Sequence, residues 1–391
     1  MAGVSHAIQW FERLNLVAPL EWDALVQANF PFADHAYLSA LEETGAVGEG
    51  SGWTPHHLAS WRDNQLEGAS FLYAKNHSHG EYIFDWAWAQ AYEKHGVPYY
   101  PKLVSSVPFT PATGAKLLLS TSADRDRVAS ELIDRAKDKI GELAATSLHY
   151  LFLTPEEIPY FEAKEFLIRH SFQYRWTNHG YSTFEDFLSR LKPRKRKQIL
   201  RERQQLRSLG IDVSIVRGSD LTTEHADIFH RFYLSTIHKM GAIAYLSPKF
   251  FQTIFHSMRD TIILFLAEEQ GIPIAGALAF EKGQWLYGRN WGSTKEVRNL
   301  HFELCYYRPL EYVIERRLAV FDAGAQGEHK IARGFLPVLT HSAHWINHFH
   351  FRDAIARFIE EEKRGIQSYF DNLEPQLPYS TKFERSKPSM S

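Results

Sequence analysis

The sequence has a single cysteine, Cys305, and four methionines in 391 residues. One thiol excludes an internal disulfide framework and fits a reducing compartment. A surplus of one charge is also missing: 44 Lys and Arg face 46 Asp and Glu, a net of −2. No global field draws such a chain to nucleic acid or to a membrane, so any such pull must come from a local patch. No apolar run is long enough to span a bilayer. The opening stretch, MAGVSHAIQWFERLNLVAPL, has no basic region followed by an apolar core. A soluble cytoplasmic protein without membrane insertion is the expectation. Aromatic rings are plentiful, with 10 Trp and 18 Tyr, and so is histidine, at 20. Such rings build aromatic cores or the rigid walls of large pockets. The length exceeds one ordinary core and predicts two domains.

Internal repetition supports two domains. AYLS occurs at 36–39 and 244–247, an offset of 208, and at that offset LA at 58–59 and GA at 68–69 recur at 266–267 and 276–277. The segment 56–75 reads as two apolar runs around a polar turn at Arg62–Gln65. The segment 262–292 repeats this with turns at Glu268–Gly271 and Glu281–Gln284 and adds a third strand. Helical spacing appears in 121–143, through Val128, Leu132, Ile133, Ala136 and Ile140, with Ser122 and Asp124 as a start signal. It appears again in 305–319, with Pro309 in the first turn. A third helix, from about Thr183, is broken near Pro193 and ended by Gly210, after which 211–216 reads as a strand. The pattern predicts an α+β, mixed α/β fold of two similar units rather than a doubly wound parallel sheet. The expected division is 1–165 and 166–391.

The most charged stretch is KPRKRKQILRERQQLR at 192–207, with eight basic residues and one acid, hence +7. Alone it suits phosphate groups or RNA, or a solvated helix face. The loop AGAQGEHKIARGF at 323–335 follows an apolar run ending at Asp322. Gly324-x-x-Gly327-x-x-Lys330 is not a nucleotide P-loop, because Lys330 does not follow Gly and no Ser or Thr follows it. Read together, the strings at 80–103, 107–114, 286–292, 300–307, 323–335 and 342–345 resemble the bacterial Fem-like predicted N-acyltransferase family. That family is related to the peptidoglycan-bridge peptidyltransferases.

The resemblance implies two tandem GNAT-like domains and transfer of an acyl or aminoacyl group to an amine of a small molecule or peptidoglycan-type precursor. Such chemistry needs a proton acceptor for the amine and a donor group for the developing oxyanion. Glu303, His329 and Glu328 are the candidate acceptors, with His301 beside them. Lys330, Arg333 and Arg289 suit anionic substrate groups, and Lys102 is expected to reach in from the first domain. Gly327 allows close approach, Asp85 reads as a pocket wall, and His344 as a pocket residue next to Trp345. The stretch 293–303 lacks the glycines that cradle a coenzyme A pyrophosphate. The donor therefore stays open between acyl-CoA and aminoacyl-tRNA. The His77/His79 and 341–350 histidines have metal-like spacing but no cysteine or carboxylate partner, so no metal is expected. The rival reading is a non-catalytic protein that binds a cell-wall precursor or RNA through 192–207. The sequence does not set the oligomeric state.

Overall fold

The computed structural model describes residues 5–324, 327–373, 375 and 377–380. It divides into two units, one of Met1–Ser171 with Leu339–Tyr369, the other of Phe172–Val338 with Phe370–Ser391. The expected cut at 165/166 lies close to the first crossing point. A single cut does not express the return of 339–369 to the first unit.

The first unit contains strands β1 (His6–Phe11), β2 (Trp53–Pro55), β3 (His57–Arg62), β4 (Gln65–Ser70), β5 (Tyr73–Lys75), β6 (Lys102–Ser105), β7 (Leu118–Leu119) and β8 (Ser147–Leu153). Strands β9 (Leu167–Thr177) and β15 (Leu336–Ile346) run from one unit into the other. The second unit adds β10 (Ile211–Arg217), β11 (Ile262–Glu269), β12 (Ile272–Lys282), β13 (Trp285–Ser293) and β14 (Val320–Asp322).

Both units repeat one plan, a tight antiparallel hairpin followed by a parallel pair joined through helix. In the first unit the hairpin is β3–β4, turning at Asp63 and Asn64 with φ of +49° and +61°. These are the left-handed values that a two-residue hairpin turn requires. The parallel pair is β6 and β8, with Val104 opposite His149. The helix between them, Arg125–Glu142, buries the five apolar positions predicted for it, and Asp124 accepts the Arg127 N–H at 3.2 Å as its cap. In the second unit the hairpin is β11–β12 and the parallel pair is β13 and β14, with Tyr287 opposite Asp322. The sheet order there is β10-β11-β12-β13-β14-β9. This is the mixed α/β, tandem GNAT-like architecture expected.

The predicted offset of 208 is one residue too long for the hairpins, where Leu58 pairs with Ser70 as Phe265 pairs with Ala277, an offset of 207 (265 − 58 and 277 − 70). A β-bulge falls between Ser60 and Trp61 in one and between Ala267 and Glu268 in the other. The repeat also fails for the AYLS tetrapeptide: residues 36–39 lie inside the helix His35–Glu43, whereas 244–247 precede the helix Pro248–Ser257. Pro248 occupies the first helical position and Ser247 caps it, so that helix cannot begin sooner.

The helix predicted over 305–319 is not regular. Leu300–Phe302 is α, Glu303–Tyr307 forms a π turn, and Arg308–Glu315 is α again. Pro309 has no N–H to donate to the preceding turn, and the wider turn absorbs that break. Among the described residues no helix is long and apolar enough to cross a membrane.

Candidate active site

Two charged centres follow from this plan, one in each unit. In the second unit, pairing of β13 with β14 ends at Tyr287 and Asp322, while β13 continues to Ser293. The loop predicted to carry chemistry begins where the two strands part. Its backbone is fixed at three points. Asp322 accepts the Gly324 N–H at 3.0 Å, and Lys330 Nζ donates to the Gly324 carbonyl at 2.6 Å. Arg333 donates to the His329 carbonyl at 2.9 Å and to Glu202 at 3.1 Å, with its guanidinium 3.4 Å over the Phe302 ring. Lys330 and Arg333 are therefore buried, at 2% and 3% exposure. Their side chains hold loop backbone.

His329 is exposed. Its Nε2 lies 2.8 Å from the Tyr306 hydroxyl, and its ring centre is 5.9 Å from that of His301. Gly327, with φ of +111°, lies against this ring; a Cβ there would sit 2.4 Å from His329 Cε1. Glycine at 327 is thus needed both for its backbone angle and for the space its missing side chain leaves. Burial, then the charges of Arg333 and Lys330, push the His329 proton affinity below the ordinary histidine value. The same causes, with His329 itself, take His301 down to about 4. Both imidazoles are neutral at neutral pH. Burial lowers Lys330 to about 8, against the opposing pull of Asp322, and burial pushes the Cys305 thiol up.

Glu303 is differently placed. Arg203 Nε reaches both of its oxygens, at 3.1 and 3.0 Å, and Nη2 adds a third bond at 2.7 Å. Arg203 also grips Glu311. Burial raises the Glu303 carboxyl, with Arg203 opposing. Its lone pairs are engaged, so it anchors the π turn to the helix Pro193–Ser208. Arg289 lies partly buried on β13, near enough to Lys330 to disfavour its charge. The side chain of Glu328 lies outside the described residues, as does Gln326.

The helix Pro193–Ser208 has two chemically distinct faces. Inward, Glu202 accepts from Gln198 at 2.8 Å, from Tyr307 and from Arg333, and Arg203 clamps the π turn. Outward, Arg194, Arg196, Lys197, Arg201 and Arg207 are all exposed.

The first unit contains Lys102 and Asp85, joined directly with both charges buried. Lys102 Nζ also donates to Glu81 at 2.8 Å and to Ser78 at 2.9 Å, and Tyr99 donates to Asp85 at 2.6 Å. Burial works to raise the Asp85 carboxyl, but Lys102 holds it well below the usual carboxylate range. A second lysine, Lys75, lies 3.4 Å from Glu81 and 3.3 Å over the Trp53 ring, and burial takes it down to about 7. His344 pairs through Nδ1 with His149 Nδ1 at 2.7 Å; Ser342 and Ser147 hold the outer nitrogens at 2.8 and 2.7 Å. Both imidazoles are buried and held neutral.

The structure thus brings His329, Lys330, Arg333 and Gly327 together with His301 and Tyr306, and it places Lys102 with Asp85 in the first unit's own centre. Sequence reasoning missed Tyr306, Arg203, Glu202, Lys75 and Glu81. For Arg203 the partner Glu303 is 100 residues away, so no local pattern announces it. Among the described residues no group of three or more His, Cys, Asp or Glu side chains is arranged to hold a metal ion.

A family model described as peptidoglycan biosynthesis/recognition, FemAB-like, matches residues 13–381. Among solved structures the chain is similar to FemX, at 13% identity and a TM-score of 0.52, covering 89% of this chain and 100% of that one. It is also similar to L-PGS from Bacillus licheniformis (8% identity, TM-score 0.47, 82% of this chain and 95% of that one). A tandem GNAT protein from the clavulanic acid biosynthesis pathway gives 11% identity and a TM-score of 0.44, over 88% of this chain and 99% of that one. No curated protein matches the sequence.

Proposed function

The chain belongs to the FemAB-like family, and on that premise we propose that it transfers an aminoacyl group from an ester donor to an amine of a peptidoglycan-type precursor. His329 is the proton acceptor in this reading. The observation that carries it is an exposed imidazole held by Tyr306, its proton affinity lowered first by burial and then by the charges of Arg333 and Lys330. With Nε2–H donating to the Tyr306 oxygen, Nδ1 presents a lone pair. The precursor amine attacks the acyl carbonyl, a C–N bond forms, and the ester C–O bond breaks. The ammonium proton passes to His329 and from it to the departing alkoxide, leaving amide and alcohol. Lys330 and Arg333 place positive charge beneath the loop, where it favours a developing oxyanion. Glu303, its oxygens taken by Arg203, positions the π turn and so Tyr306.

The exposed basic face of the helix Pro193–Ser208 favours a polyanionic donor such as aminoacyl-tRNA over acyl-CoA. The segment entering the second unit's helix supports the same choice, since it has no glycine to cradle a pyrophosphate and only three α residues before the π turn.

The test is turnover of a muramyl-pentapeptide precursor with a pool of aminoacyl-tRNAs, read as the product's mass increase. His329→Ala should lose about 10²–10⁴-fold in rate while still binding the precursor. A wild-type rate in that variant sinks the base assignment. Binding without turnover by the unaltered protein favours the non-catalytic reading. Replacing Arg194, Arg196, Lys197 and Arg201 by Ala should weaken tRNA binding and flatten its salt dependence by somewhat under one unit of slope per lost phosphate contact. An unchanged slope makes this face a solvated surface only.

A further inference from the structure

The first unit's buried charges leave a question that the transfer chemistry does not answer: what they hold in place. Lys75 Nζ donates to the carbonyl of His79 at 2.8 Å. Asp85, gripped by Lys102 and Tyr99, immediately precedes the helix Trp86–Lys94. Arg169 donates to the carbonyl of Phe84 at 3.0 Å and is itself held by Glu362 through two bonds of 2.7 and 2.8 Å. Three cations thus fix the chain at 79, 84 and 85, within a stretch, 76–85, that has no helix or strand of its own. Burying charge is costly unless it is fully paired, so this loop is held at considerable effort.

The outer face of the held loop is aromatic. Phe84 is 48% exposed and Trp86 39%. Their rings lie 6.3 Å apart and only 18° from parallel. His79, also exposed, lies 5.1 Å from Trp86, and His77 another 5.1 Å from His79. His77 is locked between the Ser51 carbonyl and the His79 N–H, at 3.1 and 3.2 Å. Rigid exposed rings present apolar area at low conformational cost, which is what stacking recognition needs.

We infer that His79, Trp86 and Phe84 form a stacking platform for the face of a sugar ring. The cations beneath, Lys75, Lys102 and Arg169, are each already bonded to a carbonyl or a carboxylate, so none stands unpartnered to receive a phosphate at the platform. The platform itself offers the ring nitrogens of His79, and the amide of Asn76 precedes it in the same loop. Both side chains are exposed and without a protein hydrogen-bond partner among the described residues, and they suit hydroxyl and acetamido groups. The choice of a sugar rests on the transfer reading only through the peptidoglycan chemistry of the family.

The experiment is calorimetric titration of the whole protein with chitotetraose, an oligomer of N-acetylglucosamine. Binding is expected with a Kd on the order of 1 mM. Trp86→Ala and Phe84→Ala should each weaken it about ten-fold or more, while Trp86→Phe stays close to the parent. His329→Ala should bind chitotetraose as the parent does, so a failed transfer mechanism and a failed platform give different results. The exposed positions should leave the thermal melt unchanged in all four variants. No heat at about 10 mM sugar, or binding indifferent to Trp86→Ala and Phe84→Ala, overturns the proposal. Preference for uridine monophosphate over chitotetraose overturns it in favour of a nucleotide.

Discussion

Lys102 and Lys330 are both buried lysines associated with the parallel strand pair of their own unit, and they differ in what neutralises them. Lys102 has two carboxylates, a serine hydroxyl and no exposure. Lys330 has one carbonyl oxygen as its hydrogen-bond acceptor; its nearest carboxylate, Asp322, is already bound by Arg175 at 2.9 Å. The two proton affinities move in opposite directions: Lys102 is raised despite burial, whereas Lys330 falls to about 8. A saturated charge is useful for holding structure. An under-neutralised one still acts on its neighbours, and here the neighbours include the exposed His329 and half-buried His301, whose proton affinities it lowers. One repeated plan has thus produced a centre whose lysine is saturated by carboxylates and a centre whose lysine is under-neutralised beside two imidazoles.

The sharpest way to break this comparison is to remove each ammonium at nearly constant volume. Lys102→Met leaves Glu81 and Asp85 buried beside each other, and loss of one partner from a buried ion pair costs about 3–5 kcal/mol. That is a large fraction of the roughly 5–15 kcal/mol that keeps a domain folded. Adding Asp85→Asn and Glu81→Gln should return much of it. Lys330→Met loses one charge-assisted bond to a carbonyl and should cost about 1.5–3 kcal/mol, while transfer activity falls because Gly324 and the loop are released. Denaturant midpoints for the two single variants give the ordering. If Lys330→Met proves the more destabilising, the assignment of holding and acting centres is reversed.

Much of this fold is local in origin and therefore legible in the sequence. The apolar stripe of 125–142, the break at Pro193 and the stop at Gly210 depend on neighbours within one or two turns, and the structure has all three. The turns at Asp63–Asn64 and Gln270–Gly271 fall within the predicted Arg62–Gln65 and Glu268–Gly271. The FemAB-like resemblance was legible too, because it rested on long strings. The loop at 323–335 was recognisable as unusual, and Gly327 has a φ of +111°, a value that favours glycine. The aim of its charges was not recognisable. Lys330 and Arg333 turn inward because Gly324 and His329 expose carbonyls there, and Glu303 is captured by an arginine that composition assigned to a basic surface. The return of 339–369 to the first unit depends on pairing such as His344 with His149, 195 residues apart. Contacts of that kind exist only once the chain has closed, and no periodicity encodes them.

The smallest expected effect concerns Lys75, whose situation lies between the other two: one carboxylate, Glu81, at 3.4 Å, and a Trp53 ring beneath it. Its ordinary value of 10.5 falls to about 7, with burial the main cause. Between pH 7 and 10 the unfolded chain keeps this proton and the folded chain releases it. The unfolded state then binds more protons, so stability rises with pH across that window. Below pH 7 both states hold the proton and the contribution is flat. Lys75→Met removes the titration. The difference in unfolding free energy between the parent and this variant should therefore shift in the parent's favour from pH 7 to pH 9.5, with a slope no steeper than about 1.4 kcal/mol per pH unit for one group. Lys116 and Lys330, each lowered to about 8, titrate in both proteins and cancel in the difference. A difference that stays flat across that window means that Glu81 holds the Lys75 proton in the folded state. Lys75 would then belong with Lys102 as a saturated charge, and its hold on the His79 carbonyl would persist to alkaline pH.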